Sequence, residues 1–502
     1  MLIRQIDKGG RWMKVKHIRR ITALLLSLCM MITIALPTYA AELIVEGTAP
    51  VVNATYKVKD SIATVTVEAS SDYGIQSILY LDGSVSTPDN PVWEEVGIDI
   101  TKKPTIKMKE SGWLSFKVTD IKGNITTTKL HVSIDFHAVW ISYLEFKSTG
   151  YTESEFRKHV TTMFEKVSSM GMNAVVVHIR PFGDAMYDSK YFPWSKYVSG
   201  TQGVDPGFDP LEIMVEIAHN LGLSFHAWLN PYRVTLANTN VTTLAQDNIA
   251  RTWLTDDITA NDRNVLSFSG NLYFNPSSLE VRNLIRNGVK EIVNNYDVDG
   301  IHFDDYFYPT LGNNYAKLFD APEYQTYVAD AQAKGAKVLS IADWRRRNVN
   351  WLIKNIYNDI KKIDQNVVFG ISPGGFLDTL QMDDRYYVDI KTWMSKAGYI
   401  DYICPQIYWS FGHKSYPFDK TVDRWSALLK TDSVELYIGI PVYKAGSNEE
   451  KEFKINPNIL ADMIEYGRST GNVNGYLYYR YDYFNSSVTK KAVNNLLDTI
   501  NN

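Results

Sequence analysis

Two adjacent carboxylates, Asp304 and Asp305, end a short apolar segment in the middle of the chain. Residues 298–309 read VDGIHFDDYFYP, and the period of two predicts a strand that places His302 and Asp304 on the face opposite to Ile301. A sheet can bury an imidazole and a carboxylate only where a cavity or a partner satisfies them. Paired carboxyls are what glycosidic hydrolysis requires, with one as general acid and the other as nucleophile or base.

The second carboxyl of such a pair stays open. Asp304 is predicted to be catalytic because it faces inward at a strand end, and Asp305, Glu145 and Asp184 are the candidates for its complement. Arg180 is expected to form an ion pair with a neighbouring carboxylate and to keep it ionised. The structural alternative is that Asp304 and Asp305 only cap the loop that follows them.

Further polar and aromatic residues stand at predicted strand ends, where alternation turns them inward. Amides and histidines bind sugar hydroxyls, and Tyr and Trp rings stack on the apolar faces of pyranoses. The predicted substrate-binding residues are His178, Arg180, Asp184, His226, Trp228, Asn230, His302, Gln406, Tyr408, Trp409 and Tyr443.

Two other classes of function compete with this interpretation. His178, His226 and His302 lie on three consecutive inward faces, an arrangement that a metal-dependent hydrolase with an activated water would need, although each is more often a hydrogen-bonded wall residue. A glycan- or wall-binding protein without turnover is the other alternative. No cofactor is predicted, since residues 372–375 (SPGG) lack the lysine and spacing of a phosphate-binding loop.

The elements that must position these residues begin at Phe136, where short apolar strands alternate with amphipathic helical segments. The predicted strands are 136–142, 173–180, 223–230, 299–304, 367–372, 401–408, 435–443 and 474–481, and the predicted helices include 152–170, 210–221, 279–296 and 458–468. Eight βα units predict a (β/α)₈ TIM barrel over residues 135–502. The long connections 231–275 and 306–346 leave from strand ends and are expected to wall a groove for a polymeric substrate.

The first part of the chain has a different pattern. Residues 45–134 contain short alternating strands with turn signals, which predict a small immunoglobulin-like β-sandwich. It serves either as a spacer, the interpretation we favour, or as a cell-wall attachment module. Before it, basic residues, an apolar run and Thr38-Tyr39-Ala40 have the order of a secretory signal peptide over residues 1–40.

The composition limits the classes of partner that the protein can bind. The formal net charge is −4, so no basic field attracts nucleic acid or an anionic membrane. Aromatic residues make up 13% of the chain, which suits sugar stacking. After signal cleavage Cys404 is the one remaining cysteine of two, so the secreted or wall-associated protein would have no internal disulfide.

The segments FHAVWIS, HIRPFGDAMY, FHAWLNPYRV, DGIHFDDYFYP, GISPGG and DYICPQIYW occur in that order after residue 135. With them the chain resembles glycosyl-hydrolase-like family ten, secreted bacterial proteins with a glycosidase-type TIM barrel. The resemblance implies hydrolysis of glycosidic bonds, with peptidoglycan glycan strands freed of stem peptides as one substrate. It places Asp299 and Asp304 in a strand-four D-G-x-x-x-D pattern, whereas Tyr306 stands where chitinases have a catalytic Glu and argues against their mechanism.

Overall fold

The computed structural model describes residues 49–59, 62–83, 85, 87–108, 112–132, 135–305 and 307–501. The predicted signal peptide and Tyr306 lie outside these residues. Within the described part of the chain, no helix is long and apolar enough to cross a bilayer.

The first seven strands form two antiparallel sheets, with orders β1-β2-β5 and β4-β3-β6-β7. Their bounds are β1 Val51–Lys59, β2 Ile62–Ser70, β3 Ile75–Asp82, β4 Ile98–Asp99, β5 Thr105–Met108, β6 Gly112–Asp120 and β7 Ile125–Val132. Val65 of one sheet and Leu114 and Phe116 of the other belong to one buried apolar cluster. The predicted arrangement of two packed sheets is therefore present. The assignment of this segment to the immunoglobulin-like modules and its boundaries stay predictions.

The remaining long strands form a closed barrel with the order β10-β13-β14-β15-β16-β17-β8-β9, and every pairing is parallel. The barrel strands are β8 Phe136–Ile141, β9 Ala174–Arg180, β10 Ser224–Leu229, β13 Gly300–Phe303, β14 Val368–Ile371, β15 Tyr402–Ile403, β16 Glu435–Pro441 and β17 Gly475–Tyr479. The predicted TIM-type barrel is confirmed, with eight strands at the expected places. Its interior is packed with side chains, among them Trp140, Val176 and Leu477.

One short helix, α1, lies between β3 and β4, and the other helices belong to the barrel part of the chain. They are α1 Val92–Glu95, α2 Glu153–Ser169, α3 Lys196–Ser199, α4 Pro210–Asn220, α5 Ile249–Thr255, α6 Leu279–Asn295, α7 Ala321–Ala333, α8 Ile341–Ile363, α9 Leu377–Leu380, α10 Ile390–Trp393, α11 Phe418–Ser426, α12 Lys451–Ile455, α13 Ile459–Thr470 and α14 Lys490–Asn501. Local sequence sets their ends: Thr152 and Glu155 form a capping box at the start of α2. Gly171 and Gly222 adopt positive φ after α2 and α4, as the helix-to-strand turns require.

The two long connections carry structure of their own. The connection after β10 contains α5 and the hairpin of β11 Val265–Phe268 with β12 Asn271–Phe274, and that after β13 contains α7. An ion pair between Arg263 and Glu323 joins them. The sixth barrel strand is much shorter than predicted, because Pro405 has no N–H for the ladder. Only single bridges then join Gln406 to Gly374 and Gly439.

Candidate active site

Asp304 directly follows β13 and is buried, with 7% of its surface exposed. Its Oδ1 accepts hydrogen bonds from the backbone N–H of Asp305 at 2.8 Å and from Nε2 of Gln406 at 3.1 Å. Burial raises the pKa of Asp304, and these hydrogen bonds only partly offset the effect. The carboxylate is therefore fixed in position at the end of a barrel strand, where TIM-barrel active sites lie.

Asp305 is the next residue, and its side chain is half-buried. Burial raises the pKa of Asp305 well above its usual range, and the adjacent charge of Asp304 raises it further. Two carboxyls this close do not both ionise readily. The proton is therefore favoured more strongly on Asp305 than on Asp304.

Gln406 lies beside the pair, although it was predicted to bind substrate directly. Its Nε2 donates to Asp304 and also, at 3.1 Å, to the carbonyl oxygen of Ser372. The amide nitrogen is thus committed to holding the carboxylate, and only the amide oxygen is left for a sugar.

Arg233 was not singled out from the sequence, although it stands in the NPYRV segment after β10. It is 8% exposed, pairs through a backbone bridge with Tyr273 of β12, and its guanidinium lies 5.9 Å from the ring centroid of Phe182. Burial raises the pKa values of Asp304 and Asp305, and the positive charge of Arg233 acts in the opposite direction on both. The charge of Arg233 therefore offsets part of the rise in both pKa values.

Three tyrosine rings line the other side of the barrel mouth. Tyr408 lies 6.0 Å from both Tyr443 and Tyr479, and the last two are 6.1 Å apart, measured between ring centroids. Burial raises the pKa of Tyr479 to about 12, and the charge of Asp304 adds to the effect. Tyr408 and Tyr443 were predicted to bind substrate, whereas Tyr479, the last residue of β17, was missed despite its inward parity.

His178, Trp228 and Asn230 form a polar cluster at the ends of β9 and β10. The His178 ring stacks on Trp228 at 3.8 Å with an interplanar angle of 7°. Both ring nitrogens of His178, Nε1 of Trp228 and Oδ1 of Asn230 are buried without a hydrogen-bond partner among the described residues. Burial lowers the pKa of His178 well below its usual range, so the ring is neutral. Their role in binding a substrate stays a prediction.

His226 and His302 differ from that prediction. Trp140 Nε1 donates to Nε2 of His302 at 3.3 Å, and Nδ1 of His302 and of His226 lie 2.9 and 3.1 Å from the hydroxyl of Tyr402. A neutral His302 that accepts from Trp140 must donate through Nδ1, so Tyr402 in turn donates to His226. His302 is 0% exposed and His226 is 3% exposed. This chain of hydrogen bonds within the packed interior makes both histidines structural rather than substrate-binding.

Arg180 also departs from its predicted role. The register between β9 and β10 shifts after Trp228, so Arg180 pairs with Leu229 and its guanidinium packs 4.3 Å from the centroid of Phe192 in the outer core. No carboxylate of the described residues lies within ion-pair distance of it, so the predicted direct ion pair is wrong. The charge of Arg180 does act to lower the pKa of Asp184, as the prediction required of a neighbouring carboxylate. The irregularity turns the side chain away from the place that alternation predicts.

Asp184 lies in the loop after β9 and is 2% exposed. Its Oδ2 accepts from Nε2 of Gln202 at 2.7 Å, and burial raises its pKa to about 6. The hydrogen bond from Gln202 orients the carboxyl within its own loop. The described contacts give Asp184 no link to Asp304.

Glu145 is committed to a structural role. Its Oε2 accepts from the backbone N–H and hydroxyl of Ser142 at 2.8 and 2.7 Å in a capping box, and Oε1 forms an ion pair with Arg480. Burial raises its pKa against these bonds. Both oxygens are occupied, which corrects the prediction of Glu145 as a catalytic carboxyl. The Ser-x-x-Glu pattern signals this in the sequence.

The three histidines that were proposed as metal ligands do not form a joint metal site in the described part of the chain. His302 uses both ring nitrogens, His226 uses Nδ1, and no group of three or more His, Cys, Asp or Glu among the described residues is arranged to bind a metal ion. The imidazoles of the three inward faces thus serve as separate structural and polar groups.

The fold and the carboxyl pair at the end of the fourth strand define a TIM barrel with a glycosidase-type site. A family profile, Glycosyl hydrolase-like 10, matches residues 135–455, so the chain belongs to that family. Among its relatives, Glycosyl hydrolase YngK of Bacillus subtilis is 37% identical over 69% of this chain and 68% of that protein. Glycosyl hydrolase DigH of Escherichia coli K12 is 34% identical over 66% and 77%, respectively.

Among solved structures, the glycoside hydrolase domain of PgaB (BpsB) from Bordetella bronchiseptica aligns with 72% of this chain and 99% of that domain. Its TM-score is 0.48 and its sequence identity is 12%. The segment before residue 135 lies outside the family match.

Proposed function

We propose that this protein is a secreted or wall-associated glycoside hydrolase that cleaves the glycosidic bonds of a cell-wall glycan, with peptidoglycan strands freed of stem peptides as the first substrate to test. The observation that carries the proposal is the Asp304–Asp305 pair at the carboxyl end of β13, in which Asp304 is buried, Asp305 is half-buried and the pKa values of both carboxyls are raised. Membership of a glycosyl hydrolase-like family supports the same reaction class.

In this proposal Asp305 donates its proton to the glycosidic oxygen as the bond to the leaving sugar breaks. Asp304, held by Gln406 and by the N–H of Asp305, presents its negative charge to the developing oxocarbenium ion or to the attacking water. The positive charge of Arg233 limits the rise in both pKa values and so favours the ionised form of the carboxyls. His178, Trp228 and Asn230 bind the hydroxyl or acylamino groups of the sugar through their unpaired polar atoms.

The location and the front module belong to the same proposal. The order of residues in 1–40 supports export, and an extracellular glycan is then the substrate that the enzyme meets. The sandwich of 45–134 is proposed to be immunoglobulin-like and to act as a spacer, with wall attachment as its second use.

The test is mass spectrometry of the products after incubating the purified protein with intact peptidoglycan and with peptide-free glycan strands, with and without a chelator. Chelator-resistant release of oligosaccharides from the peptide-free strands is the expected result. Asp304→Asn and Asp305→Asn should both abolish release while the unfolding midpoint stays near that of the wild type.

Glu145→Gln is the matched control, because Glu145 is also a buried carboxyl near a strand end but both its oxygens are bound. It should lose stability and retain turnover per folded molecule. Release of products by Asp304→Asn at the wild-type rate would remove the pair from the mechanism. Tight strand binding without any cleavage would instead make the protein a glycan-binding barrel.

A further inference from the structure

A line of aromatic side chains runs along the loops that follow β14 and β15. Between ring centroids, Phe376 lies 5.6 Å from Tyr386 and 6.1 Å from Trp409, and Trp409, His413 and Tyr416 form a triangle with sides of 5.9, 6.1 and 4.8 Å. All five rings are partly exposed. We call these five residues the aromatic track, and the barrel core does not require such exposure of them.

The track starts at the catalytic pair. Phe376, which lies 5.6 Å from Tyr386 and 6.1 Å from Trp409 between ring centroids, follows Gly375 in the loop after β14. Trp409 packs over Gly375, where an added Cβ would lie 2.8 Å from Cζ3 of Trp409 and 2.5 Å from the carbonyl oxygen of Gln406. The glycine therefore lets the indole lie directly beside the residue that holds Asp304.

The end of the track near the pair is held in an unusual backbone conformation. Tyr386 and Tyr387 have φ values of 61° and 52°, in the left-handed region that non-glycine residues rarely adopt. Tyr387 is fully buried, and its hydroxyl accepts from Nη1 of Arg345 at 2.7 Å. Such strain persists only where the surroundings enforce it, and it occurs often at ligand-binding sites. Here it fixes Tyr386 on the rim.

The far end is fixed by hydrogen bonds. Glu450 accepts from the backbone N–H of Ser410 at 3.1 Å, and Glu452 accepts from that of Gly412 at 2.7 Å. The backbone N–H of Tyr416 donates to Nδ1 of His413 at 3.0 Å, which closes the loop on itself. The backbone that carries Trp409, His413 and Tyr416 is thus held by hydrogen bonds before any ligand arrives, so binding would order little of this loop.

We propose that the aromatic track binds consecutive sugar rings of a polysaccharide chain on one side of the cleaved bond, so that the enzyme acts on long strands in preference to short ones. This inference rests on the proposed function and adds to it a requirement for chain length. Rigid, partly exposed rings in series offer stacking surfaces to the apolar faces of successive pyranoses.

The test separates binding from turnover. In the Asp304→Asn protein, Trp409→Ala and Tyr416→Ala should each weaken the binding of long peptide-free glycan strands about tenfold. The binding of the disaccharide unit should change little. In the active protein, the same changes should lower the ratio of kcat/KM for long strands to that for short ones. Trp409→Phe, which keeps a ring, should restore most of the preference.

Tyr357→Ala is the matched control, because Tyr357 is a partly exposed tyrosine on α8, outside the track. It should leave the length preference as it is. Cleavage of long and short strands at equal efficiency, unchanged by Trp409→Ala and Tyr416→Ala, would overturn the track and leave the proposed function standing. Track-dependent strand binding by a wild type that cleaves nothing would overturn the proposed function and keep the track as a binding surface.

Discussion

Two aspartates flank the same short barrel strand, and they stand in opposite environments. Asp299 directly precedes β13, and Asp304 directly follows it. Burial raises the pKa of Asp299, but hydrogen bonds from His219 Nε2 at 2.8 Å and from the N–H of Phe225 at 2.7 Å outweigh it, and the pKa is lowered. At Asp304 burial prevails and the pKa is raised.

Carboxylates at the two ends of the barrel have different roles. At the amino-terminal end of the barrel, carboxylates connect elements: Asp401 accepts from the N–H of Phe369 and pairs with Lys361, and Asp135 pairs with Arg468. At the carboxyl end, no cation forms an ion pair with Asp304 among the described residues, so burial is less compensated. An aspartate at one end of a strand thus stabilises the fold, whereas one at the other end is suited to proton transfer.

The largest expected effect comes from Asp304→Asn. It should lower kcat/KM on glycan strands by about 10³-fold, because it removes the charged member of the pair. Stability at neutral pH should be equal or higher, because a buried carboxylate with a raised pKa destabilises the folded state above that pKa. Product assays and denaturant unfolding check both expectations. If the variant instead lost so much stability that unfolding accounted for its lost activity, Asp304 would be structural, like Asp299.

Asp184→Asn tests whether a raised pKa alone marks a functional carboxyl. The folded pKa of Asp184 is about 6, against an ordinary value of 3.8, so Asp184 binds more protons in the folded state. Wild-type stability therefore falls as the pH rises between these two values. At neutral pH the variant should be more stable by at most about 3 kcal/mol, and the gap should close near pH 4. Urea unfolding from pH 4 to 7 measures it. Parallel pH curves for the two proteins would contradict the assignment.

Alternation along the chain predicted the barrel and the inward position of Asp304, since these depend on local periodicity. Alternation could not show how deep in the barrel an inward side chain lies. His226 and His302 were predicted at the mouth, but they lie in the packed interior. Nor could alternation show the register shift that turns Arg180 outward, because a bulge here has no residue signature. The aromatic track was missed apart from Trp409, since loops have no period that would reveal neighbouring rings.

Tyr402→Phe tests the structural role of the two interior histidines. The change removes the hydroxyl that bonds to His226 and His302 and leaves buried polar atoms unpaired, which should reduce the free energy of unfolding by about 2 kcal/mol. KM on glycan strands should not change, because neither histidine reaches the substrate. Unfolding curves and steady-state kinetics are the measurements. A raised KM with normal stability would return both histidines to the binding site.

Asp299→Asn gives the smallest expected effect and completes the comparison of the two strand ends. Because Asp299 is partly exposed and an asparagine oxygen can still accept one hydrogen bond, the free energy of unfolding should fall by only about 1 kcal/mol. The loss should be present at neutral pH and shrink as the pH falls through the lowered pKa, where the wild-type carboxylate also loses its charge. Turnover per folded molecule should equal that of the wild type. If Asp299→Asn instead reduced turnover at constant stability, the two ends of β13 would not divide their roles as the hydrogen bonds indicate.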